Sequence, residues 1–302
     1  MKILNKNPIK AFKWISKKIN KNTLTKNNKV SAYYRYIRFN IHQIVFKKEK
    51  IYPFLENTKF YAKKGLSGII PNIYFGLHEV EEMSFLLHYL TNKDTFLDIG
   101  ANVGAYTILA SGEKKCRSIA IEPIPDSYHY LKKNIELNNI QDLVLLHNVG
   151  LGNRNETLNF TNDKDSMNHV VDKNCTNSIK VIVKTLDSII NEPINFIKLD
   201  VEGFEKFVLD GAKQTLSNPK LNVLQIELNS FGIQYGIEDD DIHQLLLEYG
   251  FKPYKYNPFN REIEVLNKYR KDQYNTIYIK NLNEALNRVK KAEKINIGRF
   301  SF

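Results

Sequence analysis

Residues 96–107 read Phe-Leu-Asp-Ile-Gly-Ala-Asn-Val-Gly-Ala-Tyr-Thr, and the fold turns on how this stretch is understood. An apolar run ends in Asp98, Gly100 and Gly104 bracket a tight turn, and the spacing predicts an amphipathic helix from about Val103. Glycine permits positive φ and lets a ligand approach the bare backbone. A dinucleotide-binding turn carries G-x-G-x-x-G, so that its amides cradle a pyrophosphate. Here the pattern is D-x-G-x-N-x-G, with an acid aimed at the ligand. Such a turn repels a pyrophosphate and offers an acceptor to a cationic or hydroxylated group.

Outward from this stretch the chain alternates strands and helices. Apolar runs predict strands at 60–62, 69–70, 96–99, 118–121, 143–146, 196–199 and 223–227. Helical spacing predicts helices at 79–89, 103–110, 126–137, 204–216 and 240–248. Residues 156–160 and 179–185 read as an inserted antiparallel ribbon. Residues 252–256, 262–265 and 276–279 read as antiparallel strands before a last helix at 282–291. This alternation implies an α/β fold with a mainly parallel sheet covered on both faces. Ligands of such sheets bind beyond the C-terminal strand ends, where strand order reverses. Asp98, Glu122, Asn148, Asp200 and Glu227 all fall at predicted C-terminal strand ends.

Charge divides the chain in two. Residues 1–64 hold 17 Lys and Arg against Glu49 and Glu56, whereas the rest holds 27 basic residues against 31 acidic. The basicity therefore sits in an N-terminal extension, residues 1–57, and the domain at 58–302 is mildly acidic, which argues against a nucleic-acid groove across the body. A helix near 8–19 would place Ile9, Phe12, Ile15 and Ile19 near one face with lysines around the rest, a pattern that suits an anionic membrane surface as well as local packing. The aromatic segment 31–47 reads as a helix that packs on the body or on a partner, a homodimer included. Cys116 and Cys175 have no metal-ligand spacing, no apolar run reaches the ~20 residues of a membrane span, and the N-terminus has no secretory apolar core. A cytoplasmic protein, with peripheral contact at the inner membrane face through residues 1–30, is the expectation.

Glu122 follows the glycine turn by about 20 residues, where an acid takes both hydroxyls of a ribose. Asn148 and Val149 end the next strand, where an adenine would then lie. The stretch Ile197-Lys-Leu-Asp-Val-Glu-Gly-Phe-Glu205 sets Asp200, Glu202 and Glu205 at a helix start, where the dipole favours acids. These could serve as a general base, hold an acceptor hydroxyl or bind a divalent metal; plain helix capping is the competing explanation. Metal ligation is set aside because no His or second carboxylate cluster has an evident reason to converge. Asp200 is the first choice for base, with Glu202 beside it and His169, in the insertion, as runner-up. Glu227 belongs either to the pocket or to a structural ion pair. Tyr256-Asn-Pro-Phe259 reads as a turn and the acidic run 238–241 as helix capping.

Asp98-Ile-Gly-Ala-Asn-Val-Gly-Ala-Tyr-Thr107, Ile121-Glu-Pro123, Lys184-Thr-Leu-Asp187, Ile197-Lys-Leu-Asp-Val-Glu-Gly203 and Gln225-Ile-Glu227 occur in that order. In this the chain resembles the FkbM family of S-adenosylmethionine-dependent methyltransferases over roughly residues 75–230. The resemblance implies a seven-stranded, Rossmann-like, mostly parallel methyltransferase sheet. It implies S-adenosyl-L-methionine as cofactor, its methionine part held by Asp98, Gly100, Asn102 and Gly104, with Tyr106 in the same turn, and its ribose by Glu122. It also implies methylation of a hydroxyl on a natural product or bacterial glycan. Two other readings compete: an RNA or protein methyltransferase gripping its polymer with the basic arm, and a cofactor-fold binding module without catalysis.

Overall fold

The computed structural model describes residues 8–163, 167–172 and 175–302, with side chains from residue 11 onward. Its frame is a single eight-stranded sheet. In chain order the strands are β1 (Thr95–Ile99), β2 (Arg117–Ile121), β3 (Val144–His147), β4 (Phe196–Leu199), β5 (Val223–Glu227), β6 (Lys252–Asn257), β7 (Glu262–Val265) and β8 (Asn275–Ile279). Across the sheet they run β7-β6-β8-β5-β4-β1-β2-β3. Strands β1 to β5 pair in parallel, β8 runs against both β5 and β6, and β7 forms an antiparallel hairpin with β6. Seven strands were expected and eight are present, because the 262–265 stretch extends the sheet edge as a hairpin. Order reverses at β1, whose neighbours β2 and β4 lie on opposite sides, so the C-terminal ends of β1 and β4 open the crevice.

Strands β1, β4 and β5 bury nearly every residue, as central strands covered on both faces do. Two other expectations give way to local chemistry. Ile69 and Ile70, read as a strand from their β-branching, lead into the helix Ile70–Phe75, because Pro71 presets φ in its first turn. The helix expected at 204–216 is two short ones, Glu205–Asp210 and Lys213–Ser217, parted at Gly211. The 103–110 stretch winds as a short α-turn at Ala105–Thr107 and continues as a π-turn through Ile108–Glu113. Glu238 and Asp241 form a reciprocal capping box on the helix Asp239–Glu248, and Pro258 follows β6 in a turn.

The helices α1 (Pro8–Lys21) and α2 (Lys29–Val45) lie on the body. Ile15 and Ile19 of α1 and Ala32 and Phe39 of α2 are buried in the same apolar core as Phe60, Phe85, Phe96 and Phe196. The isoleucines expected on a membrane-facing side of α1 therefore point inward; Ile9 lies outside the described side chains. On the other flank, Glu156–Thr161, Val170–Val171 and Ser178–Lys184 form the ribbon anticipated from their alternation, joined by Gly150–Leu151.

Candidate active site

The loops after β1 and β4 touch. Asp200 N–H donates to the Ile99 carbonyl at 3.1 Å. Gly100 has φ +77°, and a Cβ there would lie 1.8 Å from the Asp200 carbonyl oxygen, so only glycine lets the loops meet. Gly203 repeats the device at φ +98°, where a Cβ would fall 2.7 Å from the Phe231 backbone. Between them lies a cavity of about 260 Å³. Glu79, Asp98, Glu122, Asp200, Glu202 and Glu227 line it, and Lys198 is the one Lys or Arg among the described lining residues.

On the β1 and β2 side, Asp98 is buried and accepts from the Thr107 hydroxyl at 2.6 Å. Burial raises its pKa, against the pull of the Lys198 ammonium and the Thr107 bonds. Asn102 takes φ +51°, which a short amide side chain tolerates, and its N–H donates to Glu122 Oε2 at 2.8 Å. Ile124 N–H donates to Glu122 Oε1 at 2.9 Å. Burial still pushes Glu122 up to about 7, with those two bonds opposing. Each Glu122 oxygen keeps lone-pair capacity beyond its one backbone donor. Val149 and Ile124 both line the cavity. Asn148 is exposed, and its NH₂ donates to the carbonyls of Glu122 and Pro123 at 2.8 and 3.2 Å, so it ties two strand ends together.

On the β4 side, the Lys198 ammonium is buried and donates to Asp200 Oδ2 at 2.9 Å. It also stands 4.9 Å over the Tyr106 ring. Burial works against the charged lysine, yet Asp200, Asp98 and Glu79 raise its pKa overall. Tyr106 OH donates to Glu79 Oε2 at 2.5 Å and accepts from the Gln225 amide at 2.8 Å. Glu202 (φ +55°) and Glu227 are both shifted upward, by burial first and then by neighbouring carboxylates, Asp200 foremost. Glu205 differs in kind: it is buried and accepts from the N–H groups of Val201 and Gly203 at 3.1 and 3.2 Å, so it holds the turn together.

Oxygens of Asp200, Glu202 and Glu227 lie within 4.8 Å of one another. The ground for setting a metal aside, that nothing converges on Asp200 and Glu202, thus does not hold. Glu227 arrives from β5, and three such oxygens are the donor type a hard divalent cation takes. His169 sits on the ribbon, with its N–H donating to Thr161 Oγ1 at 3.1 Å and Nδ1 2.9 Å from the Met167 carbonyl. Its neighbour Asn168 lines the cavity and His169 does not; residues 164–166 beside it lie outside the described residues.

Sequence reasoning gave no role to Lys198, Glu79 or Trp14. Lys198 had a signal, since a lysine between Ile197 and Leu199 in a strand buried throughout must have an internal partner. Glu79, at the start of the helix Val80–Tyr89, and Trp14, midway along α1, come from segments distant in sequence and reach the cavity wall. Asp187 of the Lys184-Thr-Leu-Asp motif is structural: it accepts from Gln214 N–H, Thr215 N–H and the Thr215 hydroxyl at 2.7–3.0 Å, starting the helix Lys213–Ser217.

Strands β1 to β5 run parallel with β8 reversed beside β5, and an acidic turn after β1 stands where a dinucleotide-binding fold has its pyrophosphate cradle. The methyltransferase FkbM domain model matches residues 98–253, just over half the chain, and the protein belongs to that family. The hexuronic acid methyltransferase AglP of Haloferax volcanii is 26% identical over 174 residues, covering 56% of this chain and 68% of AglP. Among solved structures, the FkbM methyltransferase of Methylobacillus flagellatus aligns over 72% of this chain at 18% identity and a TM-score of 0.44, and the match spans 55% of that protein's length. The precorrin-6y C5,15-methyltransferase of Geobacter metallireducens aligns over 67% of this chain and 87% of its own, at 13% identity and a TM-score of 0.38.

Proposed function

We propose that this chain is an S-adenosylmethionine-dependent O-methyltransferase acting on a hydroxyl of a glycan or surface-polysaccharide precursor. One observation carries the cofactor half: six carboxyl groups and, among the described lining residues, one ammonium line a cavity at the switch point of the sheet. A cavity so short of positive charge favours a ligand bearing ammonium and sulfonium groups and disfavours a pyrophosphate. Asp98, Gly100, Asn102, Gly104 and Tyr106 would hold the methionine part, Glu122 the ribose, and Val149, with Asn148 at the same strand end, the adenine. The glycan half rests on the hexuronic acid methyltransferase among the relatives.

Bound S-adenosylmethionine supplies a methyl group already activated on sulfur. The chain's own task is to align an acceptor oxygen, take its proton and exclude water. Asp200, which the Lys198 ammonium orients, would accept that proton. Glu202 and Glu227, whose upward shifts favour the protonated form, can donate hydrogen bonds to a sugar hydroxyl.

Radiolabelled methyl transfer into fractionated cell extract tests the acceptor, and variants test the roles. Asp98→Asn should abolish cofactor binding in equilibrium dialysis. Asp200→Asn should keep binding and lower turnover by about 10²–10⁴-fold, the usual worth of a positioned base. Label confined to RNA or protein would overturn the glycan reading, and an Asp200→Asn enzyme with intact kcat would overturn the assignment of the base.

A further inference from the structure

Helix α2 is apolar on two opposite faces, and only one of them is covered. Ala32, Phe39 and Gln43 face the core. Val30, Tyr34, Ile37, Ile41 and Ile44 recur at helical spacing on the far side and are all exposed, Tyr34 at 61%, Ile41 at 55% and Ile44 at 72%. Val45 and Phe46 extend the stripe at its C-terminal end. From Val30 to Ile44 it runs about 21 Å along the helix. The helix is fixed in place: Arg35 donates to the Tyr74 carbonyl at 2.6 and 3.1 Å, and Tyr33 OH donates to Ser16 Oγ at 2.8 Å. A continuous apolar stripe held outward on a rigid body marks an interaction surface.

Charge decides the partner. The first 48 residues contain 13 Lys and Arg and no Asp or Glu. Lys26, Lys29, Arg38, Lys47 and Lys48 are exposed around the stripe and at its two ends. In a twofold dimer through α2 these cations would meet their own copies. An anionic leaflet accepts the apolar stripe and the cations together. We propose that the outer face of α2 docks this protein, helix in plane, on a membrane surface bearing anionic lipid. The proposal stands independently of the acceptor's identity. Because α2 packs on α1 through Phe12 and Tyr33, and α1 carries Trp14 into the cavity wall, docking would leave the site one helix away from the lipid.

The test is co-sedimentation of the full chain with phosphatidylcholine vesicles, with and without phosphatidylglycerol. The wild type should bind only the anionic vesicles, and added salt should weaken binding. The double variant Ile37→Asp/Ile41→Asp should lower vesicle partitioning by about tenfold or more. Should that variant fail to show the wild-type circular dichroism spectrum, Tyr34→Ser/Ile44→Ser, at two more exposed positions of the stripe, decides instead. Partitioning of the folded variant equal to wild type would overturn the proposal, as would absence of wild-type binding to anionic vesicles. A wild-type dimer in light scattering that the stripe variants convert to monomer would assign the face to a second copy and overturn it equally.

Discussion

Replacing Lys198 with methionine keeps most of the side chain's volume and removes the one ammonium among the described residues of the cavity wall. At 2.9 Å from Asp200, and at an effective dielectric constant of about 20, the attraction lost is roughly 6 kcal/mol, offset in part by the burial cost of the ammonium. Removing one partner of a buried pair generally costs about 3–5 kcal/mol, because the other charge is left uncompensated. For a chain of this size that corresponds to a fall in Tm of about 5–15 °C. The pH dependence is the sharper signature. Lys198 has a folded pKa above its unfolded value, so its own contribution is complete at neutral pH and is lost only as alkaline pH passes the folded value. Asp98, Glu202 and Glu227 have raised folded pKa values, so their ionisation penalises the fold at high pH, and that penalty vanishes as they protonate. The loss in Tm should therefore be larger near about pH 8 than near about pH 5.5. Thermal unfolding by circular dichroism at both values reads this directly, with kcat falling because Asp200 loses its anchor. A variant that melts like the wild type at the higher pH would refute the reasoning.

Two further substitutions test the loops that frame the cavity. Gly100→Ala would set a methyl group 1.8 Å from the Asp200 carbonyl at φ +77°, and should cost about 3 kcal/mol or more, measurable by urea denaturation. Glu205→Ala orphans the N–H groups of Val201 and Gly203 and should cost about 1–3 kcal/mol while lowering turnover, since the same turn carries Asp200 and Glu202. Unchanged stability in the second variant would mean that water satisfies both groups and that the acid has another role.

What the sequence made legible was local and apolar. Phe96–Ile99, Phe196–Leu199 and Val223–Glu227 stand out because central parallel strands need apolar residues on both faces, and the acids at or just past their C-terminal ends, Asp98, Asp200 and Glu227, mark the edge where a site belongs. Periodicity failed where one residue outweighed it, as with Pro71 converting a β-branched pair into a helix start. At 31–47 the expected helix forms and packs on the body through Ala32 and Phe39, while its opposite apolar face stays exposed. The convergence of Glu227 on Asp200 and Glu202 was only half visible, because adjacency across β4 and β5 is a product of strand order and not of spacing. Glu79 and Trp14 were out of reach for the same reason: their place in the wall depends on packing between segments far apart in the chain.

The surplus of acid in the cavity carries a final consequence for cofactor binding. Glu122 is pushed up to about 7 by burial, well above an exposed glutamate, so the empty fold loses stability as pH rises from about 4 through 7 and the acid ionises. A ligand that offers two hydroxyls to this carboxylate, and positive charge to its neighbours, favours the ionised form. Near pH 7, binding of S-adenosylmethionine should therefore release about half a proton from this group, and affinity should fall about tenfold between pH 8 and pH 6. Titration calorimetry in buffers of different ionisation enthalpy measures the proton count without any need for an acceptor. Glu122→Gln should weaken binding and remove that share of the release. If the variant releases as many protons as the wild type, the ionisation belongs to Glu202 or Glu227, and the ribose-holding role of Glu122 would have to be given up.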